Sequence, residues 1–161
     1  MKRFAALIQR LDLSLHVIAG LGLAFMILLT LTDVLMRSLG KPIVGSMELV
    51  CFSGAIVVGF AIPYSSLAQV HIFVDFLVKR LPPSWSLSLK ALTTSIGSLL
   101  FLLIGYHFIL YGLDLIRTGE VSAGLKIPYY PITFGLALSC LLESVTLLCQ
   151  LIKLLGRGRY D

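Results

Sequence analysis

Apolar residues fall in four long runs, and short polar segments separate them. The runs are about Leu13–Met36, Met47–Ala68, Ser88–Leu113 and Ile132–Leu155. Each approaches or exceeds the roughly 20 residues that a helix needs to cross a hydrocarbon core about 30 Å thick. The pattern predicts an all-α integral membrane protein with four transmembrane helices in a single domain, residues 1–161. No repeat or low-complexity tract interrupts it. The second run changes character instead of stopping. Past Ala68 its polar residues His71, Asp75 and Lys79 recur every fourth position, which places them on one face of a continuing helix. Pro82-Pro83 then ends it. A straight helix over the 35 residues Met47–Leu81 would be roughly 50 Å long at about 1.5 Å per residue. The pattern therefore predicts a bend near Pro63, or an amphipathic interfacial arm over about 69–81.

Composition agrees with this reading. The 161 residues are 58% hydrophobic and 13% charged, with a mean hydropathy of +0.98, against about half apolar and a quarter charged in soluble domains. The net charge of +5 does not point to nucleic acid, because the basic residues sit at the ends of the runs. They are also unequally divided. Nine (Lys2, Arg3, Arg10, Lys79, Arg80, Lys90, Lys153, Arg157, Arg159) fall on the side of the termini, and four (Arg37, Lys41, Arg117, Lys126) on the other. The positive-inside rule then predicts cytoplasmic N- and C-termini and outward loops at 37–46 and 114–131. The N-terminal run is too long for the apolar core of a signal peptide and reads as a retained first span.

The chemistry-bearing residues are few. Glu143 lies midway along the fourth run, where a carboxylate costs about 2.5–3.5 kcal/mol on an insertion scale. Ser139, Glu143, Thr146 and Gln150 share one helical stripe, so this face must meet protein and not lipid, inside the bundle or on a partner subunit. Such a stripe has a sharper reading as well, a proton- or ion-coupling site. The third run carries a small-residue stripe, Thr94, Ser98, Gly105 and Gly112, that suits close helix packing. Glu48 opens the second span a short loop away from Arg37. An ion pair between them would close that hairpin, although Asp33 is also one helical turn from Arg37. Three cysteines, Cys51, Cys140 and Cys149, all fall in apolar runs and read as packing residues. His16 and His107 differ in predicted depth by roughly 24 Å, too far to sandwich one haem, and no cluster has the spacing of a zinc site. No nucleophile–base pair or nucleotide fingerprint is present, so neither an enzyme nor a cofactor nor a metal is expected.

In this order the residues resemble the DctQ-like small membrane subunit of tripartite ATP-independent periplasmic (TRAP) transporters. The resemblance rests on Arg37, Glu48, Gly59-Phe60-Ala61, the His71-Ile72-x-Val74-Asp75 segment with its Leu81-Pro82 stop, Lys126-Ile127-Pro128, Tyr129-Tyr130-Pro131 and Gly135. Two features depart from the pattern. The second span holds no tryptophan, and Ala68-Gln69 stands where a basic residue often precedes the histidine. The resemblance implies a non-catalytic scaffold in the bacterial inner membrane, surrounded by lipid. Its partners would be a large multi-spanning TRAP subunit and a periplasmic substrate-binding protein, in sodium-coupled uptake of an organic acid. His71, Asp75, Arg37, Glu48, Pro63 and Pro128 would then be structural motif positions. Ser139, Glu143, Thr146, Gln150, Ser98 and Gly105 would form a bundle or partner interface. The competing reading is a stand-alone four-span proton- or sodium-coupled transporter, acting as a dimer with Glu143 as its coupling carboxylate.

Overall fold

The computed structural model describes residues 2–67 and 83–157, with side chains at 8–66, 88–152 and 154. The predicted arm, with His71 and Asp75, lies outside the described residues. Four helices account for nearly all the rest: α1 Lys2–Ser38, α2 Ser46–Leu67, α3 Pro83–Thr118 and α4 Tyr130–Arg157. All four are long and apolar enough to cross a membrane. α1 and α3 run to 37 and 36 residues, longer than the apolar runs that define them. The flanking Arg10, Gln9, Lys90 and Ser88 are compatible with helix, so the backbone stays helical after the hydropathy has fallen. No β-strand occurs among the described residues, only an isolated bridge between Val121 and Pro128.

The helices do not form a square bundle. α4 packs along α3 on one side and along α2 on the other, α2 packs along α1, and α1 touches α4 over a small area. The order across the molecule is thus α1, α2, α4, α3. Burial follows that order: 44% of the apolar segment of α4 is buried in the protein, against 11% for α1 and 17% for α3. The outer helices present leucines such as Leu21, Leu28, Leu35, Leu92 and Leu99 outward, as lipid-facing helices must.

The seam between α2 and α4 is set by a backbone defect. Pro63 has no N–H, so the carbonyl of Gly59, four residues earlier, loses its intrahelical donor. In hydrocarbon an unpaired carbonyl cannot be hydrated. Ser139 of α4 supplies the missing donor, its Oγ–H bonding the Gly59 oxygen. Close approach is possible because residue 59 is glycine; a Cβ there would lie 2.1 Å from Leu136 Cδ2. Pro63 and Ser139 are both fully buried.

The α3–α4 seam works differently. Ser98 and Ser144 exchange hydroxyl-to-carbonyl bonds reciprocally, Ser98 Oγ to Ser144 O at 3.1 Å and Ser144 Oγ to Ser98 O at 2.9 Å. About two turns further, a Cβ on Gly105 would come to 3.0 Å from Leu141 and 3.4 Å from the Ala137 carbonyl. The small-residue stripe on α3 therefore packs within the chain at Ser98, Gly105 and Gly112, the last against Phe134.

The compensation at Gly59 is testable by a double-mutant cycle. Ser139→Ala is expected to destabilise the chain by about 0.6 kcal/mol, the average for hydrogen bonds between membrane helices, and by no more than about 1.7 kcal/mol. In a Pro63→Ala background, where the backbone N–H is restored, the same substitution should have a clearly smaller effect. Equilibrium unfolding of the purified chain in mixed micelles would read the coupling.

Candidate functional site

Polar side chains gather in two places. At the end carrying the α1–α2 and α3–α4 connections, Asp33 closes the first hairpin. Its Oδ2 accepts from Arg37 Nη2 at 2.7 Å, one helical turn away, and its Oδ1 accepts from the Ile43 N–H at 3.0 Å. Asp33 is buried, while the Arg37 side chain is 63% exposed. The anticipated Arg37–Glu48 ion pair is therefore not formed. Asp33 is nearer to Arg37 along the helix and holds it, and Glu48 has a stronger set of donors elsewhere.

Those donors come from the α3–α4 loop. Glu48 Oε2 accepts from Ser122 Oγ at 2.8 Å and from the Leu125 N–H at 2.9 Å, and its Oε1 from the Gly124 N–H at 2.6 Å. Hydrogen bonds to an ionised acceptor are about twice as strong as neutral ones. Glu48 thus ties the start of α2 to a loop some 75 residues later. The loop is shaped to receive it. Ser122 is buried and bonds across the loop, its N–H to the Ile127 carbonyl at 2.9 Å and its Oγ receiving the Ile127 N–H at 3.1 Å. Lys126 takes a left-handed backbone, φ 56°, to make the turn. Pro128 pairs with Val121 at the loop's base, and Tyr129 sets its ring edge-on to Phe52 of α2 at 5.4 Å.

In the half of the molecule where α1 begins and α2 and α4 finish lies a sealed polar cluster, reaching from mid-span Glu143 toward that end. Glu143, Thr146 and Ser139 are each about 1% exposed, and Asp12 of α1 is fully buried beside them. Thr146 Oγ1 donates to Asp12 Oδ2 at 3.0 Å, and Ser66 of α2 donates to Glu143 Oε1. Gln150 Nε2 donates to the Ser66 carbonyl at 3.0 Å. His16, one turn beyond Asp12, stacks on Tyr64 of α2 with ring centroids 4.2 Å apart. The stripe Ser139, Glu143, Thr146, Gln150 is in this way consumed inside the chain, meeting α2 and α1.

Asp12 and Ser66 complete this cluster and do not stand out in the sequence. Asp12 precedes the first apolar run by one residue and reads as a flank, and Ser66 is one of several serines in a span. The usable signal was the spacing of Asp12 and His16, four apart on a helix that starts earlier than its hydropathy. Among the described residues no three His, Cys, Asp or Glu side chains converge as they would around a metal ion.

This arrangement defines a class before it defines a family: a multi-pass helical membrane protein whose polar groups hold helices and loops to one another. Residues 26–157 match the family described as tripartite ATP-independent periplasmic transporters, DctQ component, and the chain belongs to that family. It is the small membrane component of a TRAP transporter, and so a transporter part and not an enzyme. No curated protein and no solved structure matches the chain.

The loop clamp predicts a local effect. Glu48→Gln removes the ionised acceptor, and amide exchange at Gly124 and Leu125 should accelerate several-fold while α4 keeps its protection. Arg37→Ala should leave those two amides unchanged, because Arg37 bonds Asp33. Hydrogen-exchange mass spectrometry of the loop peptide distinguishes the two variants.

Proposed function

We propose that the chain is a non-catalytic scaffold in a bacterial inner membrane, with both termini in the cytoplasm. It pairs with the large multi-spanning subunit that carries the substrate, and helps to dock a periplasmic substrate-binding protein. The transported solute is an organic acid and the coupling ion is sodium. Membership of the DctQ family over residues 26–157 carries this reading.

Several features of the chain support it. Its central polar groups are sealed: Glu143 is 1% exposed and enclosed by α2 and α1, whereas a transport carboxylate must be reached by solvent on each side in turn. A groove of about 440 Å³ on α3, lined by Leu103, Ile104, His107, Phe108 and Tyr111, is almost wholly apolar and suits lipid or an apolar helix, not an organic acid. The connection-bearing end carries a loop held by Glu48, a fixed surface for a soluble partner. Arg37 in the last turn of α1 and Lys41 in the α1–α2 connection lie at the same end of the molecule.

Affinity purification of the tagged chain from its native membranes should bring down a much larger multi-spanning protein in constant ratio. Liposomes with the chain alone should show no solute uptake. Those with the large subunit and the binding protein should take up an organic acid when a sodium gradient is imposed. Uptake by the chain alone, abolished by Glu143→Gln, would instead establish the stand-alone transporter. A fluorescent protein fused to the C-terminus should be bright and a fused alkaline phosphatase inactive; the reverse would place the termini outside.

A further inference from the structure

The cluster in the half of the molecule that holds the termini contains a charge problem that scaffolding alone does not solve. Of the chain's eight acids, Asp33 has Arg37, Glu48 has its loop donors, and Asp114 and Glu120 are exposed. Asp75 and Asp161 lie outside the described residues. Asp12 and Glu143 remain, 0% and 1% exposed.

Each of these two acids is half satisfied. Thr146 bonds one oxygen of Asp12, and Ser66 bonds one oxygen of Glu143. The second oxygens, Asp12 Oδ1 and Glu143 Oε2, are both buried and find no hydrogen-bond partner among the described residues. Glu143 and the threonine that holds Asp12 are three residues apart on α4, so the two carboxyl groups share one face of that helix within a single turn.

Among the described residues, the groups packed around the pair offer no compensating cation. On α1, Arg10 is exposed two residues from Asp12, and His16 is exposed with its ring stacked on Tyr64. α2 contributes Tyr64 and Ser66, and α4 contributes Cys140, Thr146 and Gln150. The ion pairs made by arginine among the described residues are Arg37–Asp33 and Arg117–Asp114, both away from this cluster.

An ionised carboxylate only accepts hydrogen bonds, whereas a protonated one also donates. Two carboxylates in one enclosed site cannot both stay ionised cheaply. One proton changes both terms together. It removes a buried charge and turns an acceptor-only oxygen into a donor, for which the other acid offers an empty acceptor. A divalent metal ion is a poor fit to the same space, since no third acid, histidine or cysteine among the described residues converges there.

We propose that Asp12 and Glu143 form a proton-binding carboxyl pair, and that the proton held between them at neutral pH ties α1 to α4. The direct contact between these helices is small, so this tie is a large part of it.

Infrared spectroscopy of the full chain in lipid, in H₂O and D₂O at pH 7, tests the pair. The expected result is a protonated-carboxyl carbonyl band worth about one group per chain, shifted down in D₂O. Asp12→Asn and Glu143→Gln should each abolish it, because either amide donates to the remaining carboxylate and replaces the proton. Absence of the band in the wild type would overturn the proposal. So would its survival in either variant, which would assign the proton to one acid alone. Loss of the wild-type band on adding sodium chloride at constant pH would make this a monovalent-cation site and also overturn the proton assignment. Should a variant fail to fold, the wild-type band is titrated with rising pH. Its loss together with faster amide exchange in the first turns of α1 supports the tie, and loss without any change at α1 refutes it.

Discussion

A single missing N–H shapes the centre of this protein. Proline at position 63 leaves the Gly59 carbonyl without its intrahelical donor in a place where no water can replace it. The donor must come from another helix, and Ser139 provides it. That requirement fixes which face of α4 meets α2, and at what height. Once α4 is set, Glu143 arrives opposite Ser66, Gln150 reaches the Ser66 carbonyl, and Thr146 is presented to α1. The serine exchange with α3 then occupies an adjoining face of the same helix. With little hydrophobic drive for association between helices in lipid, such polar contacts and close glycine approaches decide the arrangement.

The two polar groupings follow contrasting rules. At the end with the connections, each carboxylate has several donors: Asp33 has a guanidinium and a backbone N–H, and Glu48 has two backbone N–H groups and a hydroxyl. In the other half each buried carboxyl has a single hydroxyl donor and one bare oxygen. The first pattern suits permanently ionised groups that build a rigid surface. The second suits groups whose protonation is part of their bonding.

Much of this was legible in the sequence. Hydropathy alone located four spans, because lipid imposes a length and a polarity that few residues can violate. The Ser139–Gln150 stripe was legible because a carboxylate at mid-membrane must have company. What it met was not legible. Its partner Asp12 looks like an ordinary helix flank, and nothing local marks a residue that is buried by a helix more than a hundred positions away. The same limit applies to Glu48. Proximity in the chain suggested Arg37, but its donors are mainly backbone N–H groups, which every sequence has and which no residue type reveals. Arg37 went to Asp33 because an i, i+4 contact needs no tertiary structure to form.

The Glu48 clamp has a consequence for recognition. A surface loop that is ordered only on contact subtracts its lost conformational freedom from the affinity of any partner. Here residues 122–128 are already fastened to the first turn of α2 by a charge that sits underneath them. A protein arriving at that face would meet a shape settled during folding, so little ordering would remain for the encounter itself. Less of the contact energy is then lost to ordering, so a small contact area at that face can hold a partner that a disordered loop of the same size would not.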